Sequence, residues 1–322
     1  MRAARDAYGE VLVELGKENE NIVVLDADLS SSTKTAVFAK AFPERFFNMG
    51  IAEANMMGVA AGLASAGKVP FASTFAVFAT GRVYDQIRQS IAYAGFNVKI
   101  VATHGGLTVG PDGATHQALE DIALMRVLPG MTVIVPSDAE ETKQAVRASV
   151  DHMGPVYIRL GREAVPDVFP AGAVFEIGKG NMVRPDVSRE QVIAAPPYTL
   201  KFDVSFIACG VMVKECLDAA SILESEGIKA AVAGFASIKP FDADLCLALA
   251  RQSRLIVAAE EHSVIGGLGG AVCECLAENH PARVLRIGVN DRFGESGSAR
   301  ELLAAYGLTG SSIAEKVMAA LR

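Results

Sequence analysis

Along this chain, short apolar runs of strand length alternate with helix-length amphipathic stretches, and that alternation leaves few architectures open. NIVVLDADL from Asn21, NVKIVATHG from Asn97 and MTVIVPSD from Met131 are largely apolar until they break into polar loops. Strands buried on both faces of a parallel sheet read this way. Helices are expected over residues 2–18, 52–66, 81–94, 116–127 and 139–152, with Ser137 and Asp138 as candidate caps of the last. The fold class is therefore α/β, with mainly parallel sheets covered by helices on both faces. In such sheets ligands gather at the carboxyl ends of the strands. That places Asp28, Ser30, Ser31, Ser32, His104 and Ser137 on the edges of a candidate site.

The strand VYIRLG from Val156 closes a first domain over residues 1–165. From 166 to 202 the composition turns to Pro, Gly and mixed charge, with PDVFPAG and AAPPYTLK, so this stretch reads as a linker able to add hairpin strands. The alternation restarts over 203–322: strand DVSFIACG, helix VKECLDAASILESEG, strand KAAVAGFASIKPFD, helix ADLCLALARQS, strand RLIVAAEEH, helix GGLGGAVCECLAEN, strand RVLRIGV and a last helix. With 322 residues, 51% of them apolar, the chain can bury two cores.

A formal charge of −7 supplies no broad basic field, which argues against nucleic-acid binding. Cys209, Cys216, Cys246, Cys273 and Cys275 lack paired CxxC spacing, so they read as buried or idle thiols. With no apolar leader, they point to a reducing cytoplasm. No segment reaches the roughly 18 uninterrupted apolar residues of a membrane span. The richest, 51–67, carries Glu53 and Asn55. No phosphate-loop, HExxH or GxSxG pattern occurs. GGLGG at 266–270 has Val272 where a dinucleotide fingerprint needs a third small residue, and close packing at a helix start explains it better.

Glu53 stands out in MGIAEANMMGVAAGLASAG, a lone carboxylate entering a run of Ala, Gly and Met where a charge is costly to bury. By itself it also fits the acidic first turn of a helix. Phe75 and Phe78 in STFAVF fit core packing as well as a ring site, and His104 and His116 sit in the glycine-bearing loops THGG and ATHQ.

Read together with FASTFAVFATGRVYDQIRQ and VATHGGLTVGPDGATHQALEDIALMRVLPGMTVIVPSDAEE, these motifs resemble the pyrimidine-binding domain of transketolase. IACG, SIKPFD, EEHSVIGGLGGAV, DRFGESG and AAYGL extend the resemblance through the C-terminal domain of that family. The resemblance implies thiamine diphosphate as cofactor. Glu53 then hydrogen-bonds N1′ of the aminopyrimidine and promotes the imino tautomer that removes the C2 proton, for which an apolar wall should raise its pKa. Phe75 and Phe78 match the rings that line the pyrimidine, and Asp28 falls with the cofactor-binding residues. His116, also a catalytic candidate, and Asp112 match contacts to the donor's hydroxyls. His104 matches a contact at the phosphate end, while Ser32 in DADLSSS and Arg162 in RLGRE match acceptor phosphate contacts. The loop after His104 departs from the family in reading Gly105-Gly106 rather than a polar pair, and Ala114 precedes Thr115-His116.

The family's diphosphate motif, GDG followed by Asn, is missing. The resemblance therefore implies half an enzyme, with no metal ligands of its own. A separate N-terminal subunit would supply the Mg²⁺ and diphosphate site, in an assembly with two copies of each chain and contacts between copies of this one. The reaction implied is transfer of a two-carbon ketol unit between sugar phosphates. Enzymes resembling 1-deoxyxylulose-5-phosphate synthase or the 2-oxoacid dehydrogenase β subunit share the fold and the glutamate, but THQALEDIA with RLGRE is closer to transketolase. A non-catalytic dimerising homologue is a further alternative. A generic nucleotide-binding protein is disfavoured by the missing phosphate loop.

Overall fold

The computed structural model describes residues 1–169 and 174–322; residues 170–173, within the expected linker, lie outside the described residues. Among the described residues the first sheet has seven strands, in the order Ser237–Lys239, Thr132–Ile134, Val156–Arg159, Lys99–Thr103, Val69–Phe75, Ile22–Asp26 and Phe46–Asn48. All neighbours pair parallel except Ser237–Lys239, which runs antiparallel along Thr132–Ile134. The second sheet, again among the described residues, orders Val284–Val289, Ser253–Ser263, Phe202–Ala208, Ala230–Gly234 and Asn181–Arg184, the last antiparallel.

Alternation along each strand feeds two cores. Ile22, Val24, Phe71, Val101, Val156 and Ile158 pack on one face of the first sheet with Tyr8, Val11, Leu12 and Leu15 of the helix Ala4–Glu18, spaced to form one apolar stripe. Val23, Leu25, Ala72, Ile100, Ala102 and Val133 pack on the other face, with Met56, Met57, Ala60 and Ala61 of the helix Glu53–Ser65. That second core continues into the other domain through Ile207, Ala233, Phe235, Ile256 and Ala258. The far face of the second sheet, with Val204, Phe206, Val232 and Val257, is covered by the helices Met212–Ser225 and Gly310–Leu321.

Three local expectations are corrected. KAAVAGFASIKPFD is two strands rather than one: Ala230–Gly234 stays in its own sheet, Phe235 N still donates to Ala208 O, and Ala236 O accepts from Val135 N before Ser237–Lys239 joins the first sheet. The helix expected over 81–94 begins only at Tyr84–Gln86 and widens to a π-helix over Ile87–Ala92, because Gly81 is a weak helix former and Val83 leaves helical geometry (φ −120°, ψ 15°). The helix expected over 116–127 is Asp121–Arg126, since the preceding residues are engaged with the loop described below. Within the expected linker, Asn181–Arg184 is a strand and Arg189–Ala194 a helix capped by Ser188. Among the described residues no helix is long and apolar enough to cross a membrane.

Of the two candidate caps, Asp138 closes the helix Ala139–Asp151 by accepting Glu141 N at 2.8 Å, while Ser137 N donates to Glu141 Oε2 at 2.7 Å. Burial pushes the Glu141 carboxyl up to about 8 from its ordinary 4.5, with the Ser137 amide pulling the other way. A folded-state value above the unfolded one means stability that is complete below 4.5 and is lost as pH rises through about 8. Glu141→Gln should flatten the fall of the unfolding midpoint across that window, as thermal melts at a series of pH values would show. An unchanged slope would mean that the carboxyl is ionised in the folded chain.

Candidate active site

Glu53 opens the helix Glu53–Ser65, where the N-terminal peptide dipoles favour its charge, and its side chain is 4% exposed. It does not face a purely apolar wall. Arg82 Nη1 donates to Oε1 at 3.1 Å and Oε2 at 3.0 Å, and the guanidinium carbon lies 4.5 Å from the centre of the Phe78 ring. Phe78, half-buried on the helix Ala76–Thr80, stacks at 6.1 Å on Phe75, the last residue of its strand. Phe75 stacks at 3.8 Å on His104, and His116 meets Phe78 edge-on at 5.4 Å. Contacts thus join Glu53, Phe78, Phe75, His104 and His116 into one surface across two adjacent strand ends, with Arg82 as a member that spacing in the sequence does not reveal.

The opposite end is cationic. His104 takes a left-handed backbone conformation (φ 60°), is buried, and has Nδ1 2.7 Å from Thr103 Oγ1. Burial, then the charges of Arg5, Arg162 and His116, push it down to about 3, so its ring is neutral. Arg162 Nη1 donates to Val109 O at 2.5 Å and lies 3.9 Å from Asp112 Oδ1. Arg5, which no sequence motif marks, donates from Nη1 to Ser32 O at 3.1 Å, and its buried Nε has no hydrogen-bond partner among the described residues. Asp28 (φ 63°) is exposed and accepts from Asn48 Nδ2 at 3.0 Å. The buried acid of LDADL is Asp26, which accepts from Leu29 N (2.6 Å), Thr33 Oγ1 (2.6 Å) and Thr35 Oγ1 (2.9 Å) and so shapes the loop that carries Ser32.

The C-terminal domain backs this surface. Gln117 Nε2 donates to Leu107 O at 3.2 Å and to Glu295 O at 3.0 Å, tying the loop of Asp112 to the DRFGESG segment. A Cβ on Gly294 would sit 1.8 Å from Gln117 Oε1, so a side chain there would displace the Gln117 amide that ties the two segments. The GGLGG helix start is filled from within: Glu260 accepts Leu268 N at 2.7 Å and Gly269 N at 2.8 Å. Its N-terminal amides serve a side chain of this chain, as close packing requires. The cysteines are free thiols, with Cys209, Cys216 and Cys246 buried. Among the described residues no three His, Cys, Asp or Glu side chains converge as metal ligands.

Similarity to known proteins agrees with this geometry. Residues 1–168 match the transketolase pyrimidine-binding domain and residues 199–313 the transketolase C-terminal domain. A protein of Methanocaldococcus jannaschii that carries the name transketolase C-terminal section is 50% identical over 320 residues, covering 98% of this chain and 96% of its own. A 6-deoxy-6-sulfo-D-fructose transketolase subunit of a Clostridium species is 42% identical, over 96% of this chain and 91% of its own. The solved structure of a split-gene transketolase, an inactive β4 tetramer, superposes with a TM-score of 0.88 at 54% identity, covering 100% of this chain and 99% of that one. The chain belongs to the transketolase family, in which it corresponds to the C-terminal subunit of a split enzyme: a pyrimidine-binding domain followed by a C-terminal domain.

The environment of His104 sets a direct check. In an NMR titration its ring signals should stay those of neutral imidazole across the range where an ordinary histidine, near 6.5, gains its proton. A midpoint near that ordinary value would mean that the ring is open to solvent rather than packed on Phe75.

Proposed function

We propose that this chain transfers a two-carbon ketol unit from a ketose phosphate to an aldose phosphate, with thiamine diphosphate, as the partner of a separate N-terminal subunit in an assembly with two copies of each. The observation that carries this reading is the pairing of a buried carboxylate with an aromatic face, both already engaged by a flat N–H donor: Arg82 bonds both oxygens of Glu53 while lying over Phe78. An aminopyrimidine is likewise flat and presents nitrogen hydrogen-bonding groups at its edge, so the residues present fit it. Arg82 has to release Glu53 for that exchange.

When bound, thiamine diphosphate supplies the nucleophilic carbon and the electron sink. Glu53 then shares a proton with the ring nitrogen, Phe75 and Phe78 line the pyrimidine, and Asp28 belongs to the loop at the cofactor's edge. His116, whose Nδ1 lies 2.9 Å from Thr115 Oγ1, keeps Nε2 for a donor hydroxyl or a proton, and Asp112 binds a neighbouring hydroxyl. Ser32, Arg162 and Arg5 hold the anionic end of the sugar, and neutral His104 contributes a hydrogen bond there rather than a charge. Oxygen ligands of the partner subunit would hold Mg²⁺, and the metal would in turn hold the diphosphate. Guanidinium groups bind sulfonate as they bind phosphate, so the sulfosugar relative points to a donor with either anion at that end. The cytoplasm, where sugar phosphates are made, is the compartment this function requires.

The test is ketol transfer from xylulose 5-phosphate to ribose 5-phosphate, with thiamine diphosphate and Mg²⁺, by the chain alone and by material co-purified from its own cells. Activity should reside in the co-purified complex. Glu53→Gln should lower its turnover by about 10²–10⁴-fold, the usual share of a positioned acid or base. Near wild-type turnover by that variant would sink the assignment of Glu53.

A further inference from the structure

Glu261 belongs to the C-terminal domain, near the end of the strand Ser253–Ser263, yet its side chain is buried behind the loop that follows His104. Its Oε1 accepts the Thr108 amide at 2.5 Å. The two glycines that set this loop apart from the family make that approach possible. A Cβ on Gly106, at φ 87°, would lie 2.4 Å from the Glu261 carboxyl carbon, and one on Gly105 would lie 2.6 Å from Arg159 Nε.

Arg159 holds the other side of the same loop. Its Nε donates to Asp121 Oδ2 at 2.8 Å, and its Nη2 donates to Ala118 O at 3.2 Å and to Glu261 O at 2.9 Å. Tyr157 OH donates to the same Asp121 oxygen at 2.6 Å. Gly106 N donates to Ala118 O at 3.0 Å, closing the base of a loop over 106–118 that carries Asp112 and His116. A buried amide without an acceptor is costly, so the conformation at Thr108 depends on a carboxylate from the other domain.

We propose that Glu261 is a positioning residue for the sugar-binding loop: through Thr108 it sets where Asp112 and His116 stand, and the C-terminal domain thereby takes part in donor selection without touching the substrate. The catalytic half of this inference rests on the ketol-transfer reading above. Its structural half does not, which allows the two to fail separately.

The variants are Glu261→Met, which keeps the side-chain length and removes the acceptor, and Glu261→Gln, which keeps an acceptor oxygen for Thr108. On the full chain, amide exchange over residues 105–113 should be about tenfold faster in Glu261→Met, with protection elsewhere unchanged, and near wild-type in Glu261→Gln. In the co-purified complex, Glu261→Met should raise the donor KM by about tenfold while the calorimetric affinity for thiamine diphosphate is unchanged, and Glu261→Gln should restore the KM. Faster exchange across the whole chain, or cofactor affinity lost together with KM, would reduce Glu261 to a fold-stabilising group and overturn the proposal. Unchanged exchange over 105–113 would overturn it equally. If the wild-type complex transfers no ketol unit, the ketol-transfer reading falls, and the exchange arm alone decides the positioning role.

Discussion

Everything in this molecule depends on the two-residue crossing at Phe235 and Ala236. Phe235 still bonds to the second sheet and Ala236 already bonds to the first, so Ala230–Gly234 and Ser237–Lys239 pin the two sheets to each other through main-chain hydrogen bonds that leave no slack. A linker alone would let two α/β units move independently. Here one apolar core runs from Val23, Leu25 and Ile100 through Phe235 to Ile207 and Ile256, and the second domain is held where Glu261 can reach the amide of Thr108.

Around that frame, buried charge serves placement more than stability. A buried ion pair such as Arg159–Asp121 recovers little beyond the desolvation it costs, but breaking one partner is expensive, so such a pair fixes geometry. Asp26 shapes the Ser32 loop with three donors, and Glu260 caps the helix that begins at Leu268. Each lies at the carboxyl end of a strand of its sheet, where the polar ends of apolar runs have to be satisfied by neighbouring loops.

The strands were legible because burial on both faces writes a continuous apolar run, as in IVVLD and KIVAT. Helix limits were less so. Apolar periodicity does not register the backbone at Gly81 and Val83, nor the demand that Gln117 serve the Leu107 and Glu295 carbonyls rather than continue a helix. Within the candidate site, the strand-end positions Phe75 and His104 were legible as candidates, whereas Arg82 and Arg5 were not, since their partners Glu53 and Ser32 lie 29 and 27 positions away. The close approaches at Gly105 and Gly106 were not legible either, since Arg159 and Glu261, which they accommodate, lie far along the chain, Glu261 in the other domain.

The contact between Arg82 and Glu53 joins exposure at one end to burial at the other, and that asymmetry bears on how the site can change hands. Arg82 is 49% exposed, so water and salt screen its charge and withdrawing it costs little. Glu53 is 4% exposed, and a carboxylate left bare there would lack both water and a counter-charge. Whatever displaces Arg82 must therefore bring a group that shares a proton with the carboxyl and a flat face that covers Phe78. A hydrocarbon surface would bring only the face, and a lone ammonium only the proton-sharing group. The proposed aminopyrimidine brings both, so the same desolvation that would penalise an empty site drives the carboxyl toward the proton-sharing contact on which the proposed chemistry depends.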